Sequence, residues 1–419
     1  MEGCRHIPER SLPGNPWVMA RSSLNLRIRE ILRSFPIVHQ IATSIVRLVQ
    51  QAGYALLRLL SPGNTHYGLP RAFYSGCRLL REQILPGEII LESQPCPAFP
   101  SDSLVKLSGL GQDTYQPWPV FWMEIPDAFL SGRSLVPRDS RVQLLAEATF
   151  SQTGDRTDPS YCQIATGSGE TISGNATSIV SRWGGDTAGN RRYGGAGYWH
   201  WLFDSVSRLS LLDRFPPDTR VITPRLEPWM RWYLERLGLG GRIIETESTA
   251  LTVEHFYFSS PSSMTGCWNP YAVDFLRRSF LPHASSRPTA LPKRFYIIRE
   301  GYTRGVTNEV EVREFFTRKG WALIAPEKLS IPDQIALFRD AEAIAGVHGS
   351  AFTNLVWSSP MARVLELVPE NFMAGAFEWL ARANGLNHNF LVCEADCKNN
   401  IRVDLSRIEQ IIPQEIADA

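Results

Sequence analysis

A run of alternating elements between Arg294 and Glu394 constrains the fold more than any other feature of the chain. The stretches "RFYIIRE", "WALIAP", "AIAGV", "RVLELV" and "HNFLVCE" are apolar runs of strand length. Between them, "NEVEVREFFTRKG", "IPDQIALFRDAE", "GSAFTNLVWSS" and "FMAGAFEWLARANG" carry helical spacing. Strands that are apolar on both faces must be covered on both faces, and the intervening helices supply that cover. The pattern therefore predicts a parallel, doubly covered sheet in an α/β fold.

A similar alternation precedes the Pro-rich stretch "PHASSRPTALPK", where "TRVITP" and "GRIIET" flank the helical "EPWMRWYLERLG". The expected architecture is two Rossmann-like domains facing a cleft: a helical segment over 1–65, a first domain over 66–285 and a second over 286–419. The first domain has a β-rich entry in "EIILES", "PVFWMEIPDAFL" and "RVQLLAEATF". The polar, Gly-rich text from Ser151 to Gly197, including "GSGETISGN", reads as one long loop without strand or helix.

Charge excludes one class of partner. Lys plus Arg total 43 against 42 Asp plus Glu over 419 residues, so no global field attracts nucleic acid, and any anion must be bound locally. The 12 Trp and 12 Tyr residues suit either core packing or stacking on sugars and bases. The seven cysteines include no CxxC, which fits free thiols in a reducing, cytoplasmic compartment, and no secretory leader is expected. From Leu24 to Leu60, arginines at 27, 29, 33, 47 and 58 interleave with aliphatic residues. That charge disfavours a membrane span and leaves two readings: a helix docked on a protein surface, or one lying peripherally on the inner face of an anionic membrane.

The residues with chemical potential gather at turns. His348, Gly349 and Ser350 follow the strand "AIAGV" and open the next helix, where free N–H groups and the helix dipole suit a diphosphate. A tight turn with a structural histidine fits equally well. Glu366 interrupts an apolar strand, which suits hydrogen bonds to a ribose diol, with a buried ion pair as the plainer alternative. Arg299 and Arg304 follow the first strand of the same sheet and are placed to clamp phosphate, and Asn308 with Glu311 forms an N-cap pattern. Further upstream, His200 and Asp204 stand at i and i+4 in "YWHWLFDSVSRL", with Arg208 one turn on. They read as a general base with its partner or as a structural hydrogen bond.

Taken in order, "YWHWLFDSVSRL", "REGYTRGVTNE" and "AGVHGSAFTNLVWSSPMARVLELVP" resemble the conserved blocks of glycosyltransferase family 61. The resemblance covers under half of the chain. It implies a GT-B-like fold, a nucleotide-sugar donor and inversion at the anomeric carbon. His200 and Asp204 fall in its acceptor-side block, Arg299 and Arg304 in its phosphate-side block, and His348, Gly349, Asn354 and Glu366 in its donor block, with Ser350 where many relatives carry Ala. Asp204 is expected to be the base, with His200 as its partner. The sequence lacks a D-x-D motif, so neither metal nor any cofactor beyond the donor is expected. A glycan or lipid-linked glycan acceptor in cell-surface polysaccharide assembly completes the reading. A polysaccharide pyruvyl transferase-like enzyme and a non-catalytic nucleotide- or glycan-binding protein are the alternatives.

Overall fold

The computed structural model describes residues 73–74, 76–92, 102–104, 119–131, 135–138, 144–145, 170–181, 197–248, 250–260, 263–264, 267–268, 270–286, 291–299 and 304–412. They belong to one compact unit, Pro70–Ala419. The amphipathic stretch 24–60 lies outside the described residues, as does most of "RVQLLAEATF". Among the described residues no helix is long and apolar enough to cross a membrane.

The chain is α/β, with two large sheets. Among the described residues the first has nine strands: β1 (Phe73–Tyr74), β2 (Gly87–Leu91), β3 (Val120–Ser131), β4 (Val136–Arg138), β5 (Leu144–Leu145), β6 (Glu170–Ser178), β7 (Arg220–Thr223), β8 (Ile243–Glu245) and β9 (Ala250–Ser259). Its order is β1-β5-β4-β3-β9-β6-β7-β8, with β2 on β3. The long β3 and β9 pair antiparallel, and Phe121, Met123 and Ile125 alternate into the core beneath them. Beyond β9 the pairs β9·β6, β6·β7 and β7·β8 are all parallel, so the sheet is mixed.

Strand β6 corrects the reading of residues 151–197 as unbroken loop. The stretch Glu170–Ser178 lies between β9 and β7 at the heart of the sheet. Its register against β9 shifts between Ile172 and Asn175, and Gly174 between them has φ 72°, a backbone that glycine takes at little cost. The irregularity breaks the period-two pattern that would have marked the strand: Ile172 and Ala176 are both buried, but polar residues and a glycine separate them.

The second sheet follows the expected alternation. Its strands are β12 (Arg294–Ile297), β13 (Ala322–Ile324), β14 (Ala343–Val347), β15 (Arg363–Pro369), β16 (Asn387–Ala395) and β17 (Ile401–Arg402), after a small hairpin of β10 (Ser263–Met264) and β11 (Cys267–Trp268). The order is β13-β12-β14-β15-β16-β17, parallel except for the edge strand β17. Every residue of β14 is buried, as a central strand covered on both faces requires.

The helices that matter for the site are α1 (Pro228–Arg236), α2 (Pro270–Phe280), α3 (Glu309–Arg318), α4 (Ile331–Arg339) and α5 (Ala376–Ala383). Ser330 caps α4 by accepting from the Asp333 backbone N–H, and Pro332 sits in its first turn. At α3 the expected cap is absent. Asn308 instead donates to the Val403 carbonyl at 3.0 Å and accepts from the Val403 N–H at 3.0 Å, tying α3 to the segment after β17. The stretch "GSAFTNLVWSS" winds as a 3₁₀ helix, Ser350–Trp357. The largest apolar cluster runs from Ile179 to Leu386, joining residues on both sides of position 285 in one core.

Candidate active site

Chain order in the second sheet dictates where a ligand fits. The chain passes from β12 to β13 on one side, then crosses back to β14 on the other, so β12 and β14 flank a topological switch point. Crevices beyond the carboxyl ends of parallel strands at such a point are the standard ligand sites of open α/β sheets. A cavity of about 490 Å³ opens there. Ile297, Ile298 and Arg299 line it from the end of β12, Pro326 and Glu327 from beyond β13, Val347 from the end of β14, and Ser350 and Ala351 from beyond it. Trp229 and Trp232 of α1, together with Tyr198, form another wall.

Of the residues expected at a donor site, Arg299, Ser350 and Asn354 line this cavity. Arg299 Nη1 approaches the His348 carbonyl at 3.4 Å. Gly349 makes room for it: a Cβ at that position would collide with the Arg299 guanidinium. The backbone of Gly349 is extended, with φ 175°, so space rather than conformation selects glycine.

Asn354 anchors one end of the cavity through a buried network. Its Oδ1 accepts from the Tyr198 hydroxyl at 2.8 Å and from the Trp357 indole at 3.0 Å, and its Nδ2 donates to Gln334 at 3.1 Å. Tyr198 and Tyr233 share a further hydrogen bond of 2.7 Å. Burial pushes the Tyr198 phenol up to about 12, so it remains a hydroxyl donor at neutral pH.

His348 and Glu366 lie outside the cavity lining, in a buried cluster behind the turn. The Glu366 carboxylate is fully buried and engages His348 Nδ1 through one oxygen and His388 Nε2, at 2.9 Å, through the other. Burial alone would raise its pKa, but the two imidazoles outweigh burial and hold it down at about 2. The ribose contact expected of Glu366 requires an accessible oxygen, and this carboxylate presents none: it orients histidines instead. His388, on β16, belongs to the cluster and carried no motif in the sequence. Its Nδ1 is buried without a partner among the described residues, which assigns the hydrogen to Nε2.

Arg304 joins this cluster rather than the cavity. Its guanidinium lies 4.7 Å from the centre of the Phe372 ring. Burial lowers its pKa, and the charge on Glu366 acts in the opposite direction.

His200 and Asp204 stand in helical turns over 198–214, where Trp201–Ser205 forms a π turn, a local widening frequent at functional sites. His200 Nδ1 lies 2.6 Å from Asp204 Oδ2, and the side chains are 26% and 1% exposed. The imidazole therefore reaches solvent and the carboxylate lies behind it. Arg208 is buried one turn on, and desolvation lowers its pKa to about 10 against the pull of Asp204. Among the described residues no cluster of His, Cys, Asp and Glu side chains could hold a metal ion.

Strand order and cavity together describe an α/β protein with a cavity at the switch point of a parallel sheet. Residues 198–365 match the family model described as Glycosyltransferase 61, a span that holds the His200–Asp204 pair, both arginines and the His348 turn, and ends at the residue before Glu366. The match over this segment, under half of the chain, supports glycosyltransferase family 61. No curated protein matches the chain.

Proposed function

We propose that the protein is an inverting, metal-independent glycosyltransferase of GT-B-like architecture that binds a nucleotide-sugar donor in the switch-point cavity. The family match over residues 198–365 supports sugar transfer in general. The observation that carries the donor reading is the position of the cavity between the ends of β12 and β14, with Arg299 and Ser350 on its wall. The diphosphate lies against Arg299 and the amino end of the 3₁₀ helix that starts at Ser350, where a guanidinium and free N–H groups offset its charge. The indoles of Trp229 and Trp232 offer flat apolar faces to the base.

In the reaction, the acceptor oxygen forms a bond to the anomeric carbon as the bond from that carbon to the diphosphate oxygen breaks. The electron pair leaves with the nucleoside diphosphate, stabilised by Arg299. The acceptor's proton passes to His200. This reverses the roles expected of the pair, because a base must touch its substrate and Asp204 is buried behind the imidazole. Asp204 then orients His200, as Glu366 orients His348 at the donor turn. The acceptor is a glycan or lipid-linked glycan in cell-surface polysaccharide assembly at the cytoplasmic face of the membrane.

Thermal-shift titration against nucleoside diphosphates and nucleotide sugars tests the donor reading. A ligand at about 100 times its Kd stabilises the protein by about 2.7 kcal/mol, a readable rise in Tm. Stabilisation by nucleoside diphosphates that disappears in Arg299→Ala is expected, and no response from the wild type to any of them would overturn the reading.

A further inference from the structure

We propose that Glu327 reads the ribose of the donor, so that the cavity takes ribonucleoside diphosphate sugars in preference to their 2′-deoxy counterparts. This inference rests on the nucleotide-sugar reading of the cavity. With Glu366 sealed in its histidine cluster, the ribose carboxylate must come from elsewhere. Among the described residues lining the cavity, Glu327 is the sole carboxylate and Arg299 the sole cation. Glu327 is exposed, and its side chain has no hydrogen-bond or ion-pair partner among the described residues.

Its placement fits the length of a nucleotide. Glu327 lies in the short turn Pro326–Lys328 that follows β13, Arg299 follows β12, and Ser350 lies just beyond β14. These strands are neighbours with aligned carboxyl ends, Ile297 standing opposite both Ile324 and Gly346. With neighbouring strands about 4.8 Å apart, Glu327 stands about one strand from Arg299 and about two from Ser350. A diphosphate over the β12 and β14 ends therefore puts its ribose over the β13 end.

Charge fixes the same polarity, because a carboxylate repels the diphosphate that the guanidinium attracts. An ionised carboxylate only accepts hydrogen bonds, and the 2′ and 3′ hydroxyls of a ribose are two adjacent donors. The turn is held firmly: Lys328 N–H donates to Ala325 at 3.0 Å, Leu329 N–H to Pro326 at 2.9 Å, and Pro326 is itself buried.

The test compares UDP and GDP with their 2′-deoxy forms and with pyrophosphate, by calorimetric titration of the full chain, its Glu327→Ala variant and its Glu327→Gln variant. A hydrogen bond to a charged group predicts that the wild type binds the ribose form about tenfold or more tighter than the deoxy form. Both variants should lose that preference while holding pyrophosphate at least as tightly as the wild type. Variants that keep the wild-type preference, or that lose pyrophosphate and nucleotide in equal measure, would overturn the assignment to Glu327. Failure of the folded wild type to bind any nucleoside diphosphate would instead overturn the nucleotide reading itself, and the inference with it.

Discussion

Glu366 reaches across the β14–β15 pair to hold His348, the first residue after β14. The link crosses strands already in register, since Val347 stands opposite Leu367 and the His348 N–H donates to the Leu367 carbonyl at 2.9 Å. Backbone and side chain thus fix the same histidine twice. His388, from the third strand of the set, uses the other carboxylate oxygen and leaves Glu366 no freedom to rotate.

The cluster predicts a stability that depends on acid. The Glu366 pKa lies below its ordinary value of 4.5, at about 2, so the folded state is favoured by the ionised carboxylate. That contribution is complete above the ordinary value and is lost as pH falls through the folded one. Urea unfolding between about pH 7 and about pH 3 should show this loss. In Glu366→Gln the acid-dependent loss should be smaller, against a baseline lowered by about 3 to 5 kcal/mol for breaking a buried pair. Equal acid sensitivity in both proteins would place the titrating group elsewhere.

Gly349 predicts a separation of stability from binding. The three atoms nearest an added Cβ all belong to the far end of the Arg299 side chain, which can swing aside. Gly349→Ala should therefore change stability by less than about 1 kcal/mol, while nucleoside diphosphate affinity falls about tenfold or more, as for loss of a charged hydrogen bond. Because both changes remove the same guanidinium, Gly349→Ala in an Arg299→Ala background should cost little more. Additive losses would show that Gly349 acts independently of Arg299.

Much of the second sheet was legible in the sequence because each strand from β12 to β16 holds a short apolar run and each crossover between them is helical, so local pattern and tertiary burial agree. The first sheet was harder to read. Strand β6 hides behind the irregularity at Gly174, and its partners β9 and β7 come later in the chain, so nothing local marks it as central. At the site, Arg299, Ser350 and Asn354 were visible because they follow or fill recognisable turns. Trp229, Trp232 and Glu327 were not, because they come from separate elements that only the fold brings to one cavity. His388 is spaced 22 residues from Glu366, and parallel pairing alone makes them neighbours.

The Asn354 network predicts a structural cost separate from ligand binding. Asn354→Ala strips partners from Tyr198, Gln334 and Trp357 together, leaving buried polar groups unsatisfied. Chemical denaturation should show a loss of about 2 to 4 kcal/mol. Tyr198→Phe removes one hydroxyl from the same network and should cost about 1 kcal/mol. A near-neutral Asn354→Ala would mean that water replaces the amide at no net cost.

The final prediction concerns the division of labour between His200 and Asp204. An acceptor hydroxyl is a poor nucleophile, and a single displacement with inversion needs a base on the side opposite the departing diphosphate. His200 is the partly exposed member of the pair, and Asp204 holds its Nδ1 from behind. His200→Ala should lower kcat by about a hundredfold or more, the scale of general-base catalysis, with donor affinity unchanged in titration. Asp204→Asn keeps the shape of the side chain and removes its charge, so it too should lower kcat with donor affinity intact. If the two residues act as one unit, the double variant should be little slower than His200→Ala alone. A direct base role for Asp204 would give the opposite ranking: Asp204→Asn would be the more damaging change, and His200→Ala would keep most of the turnover.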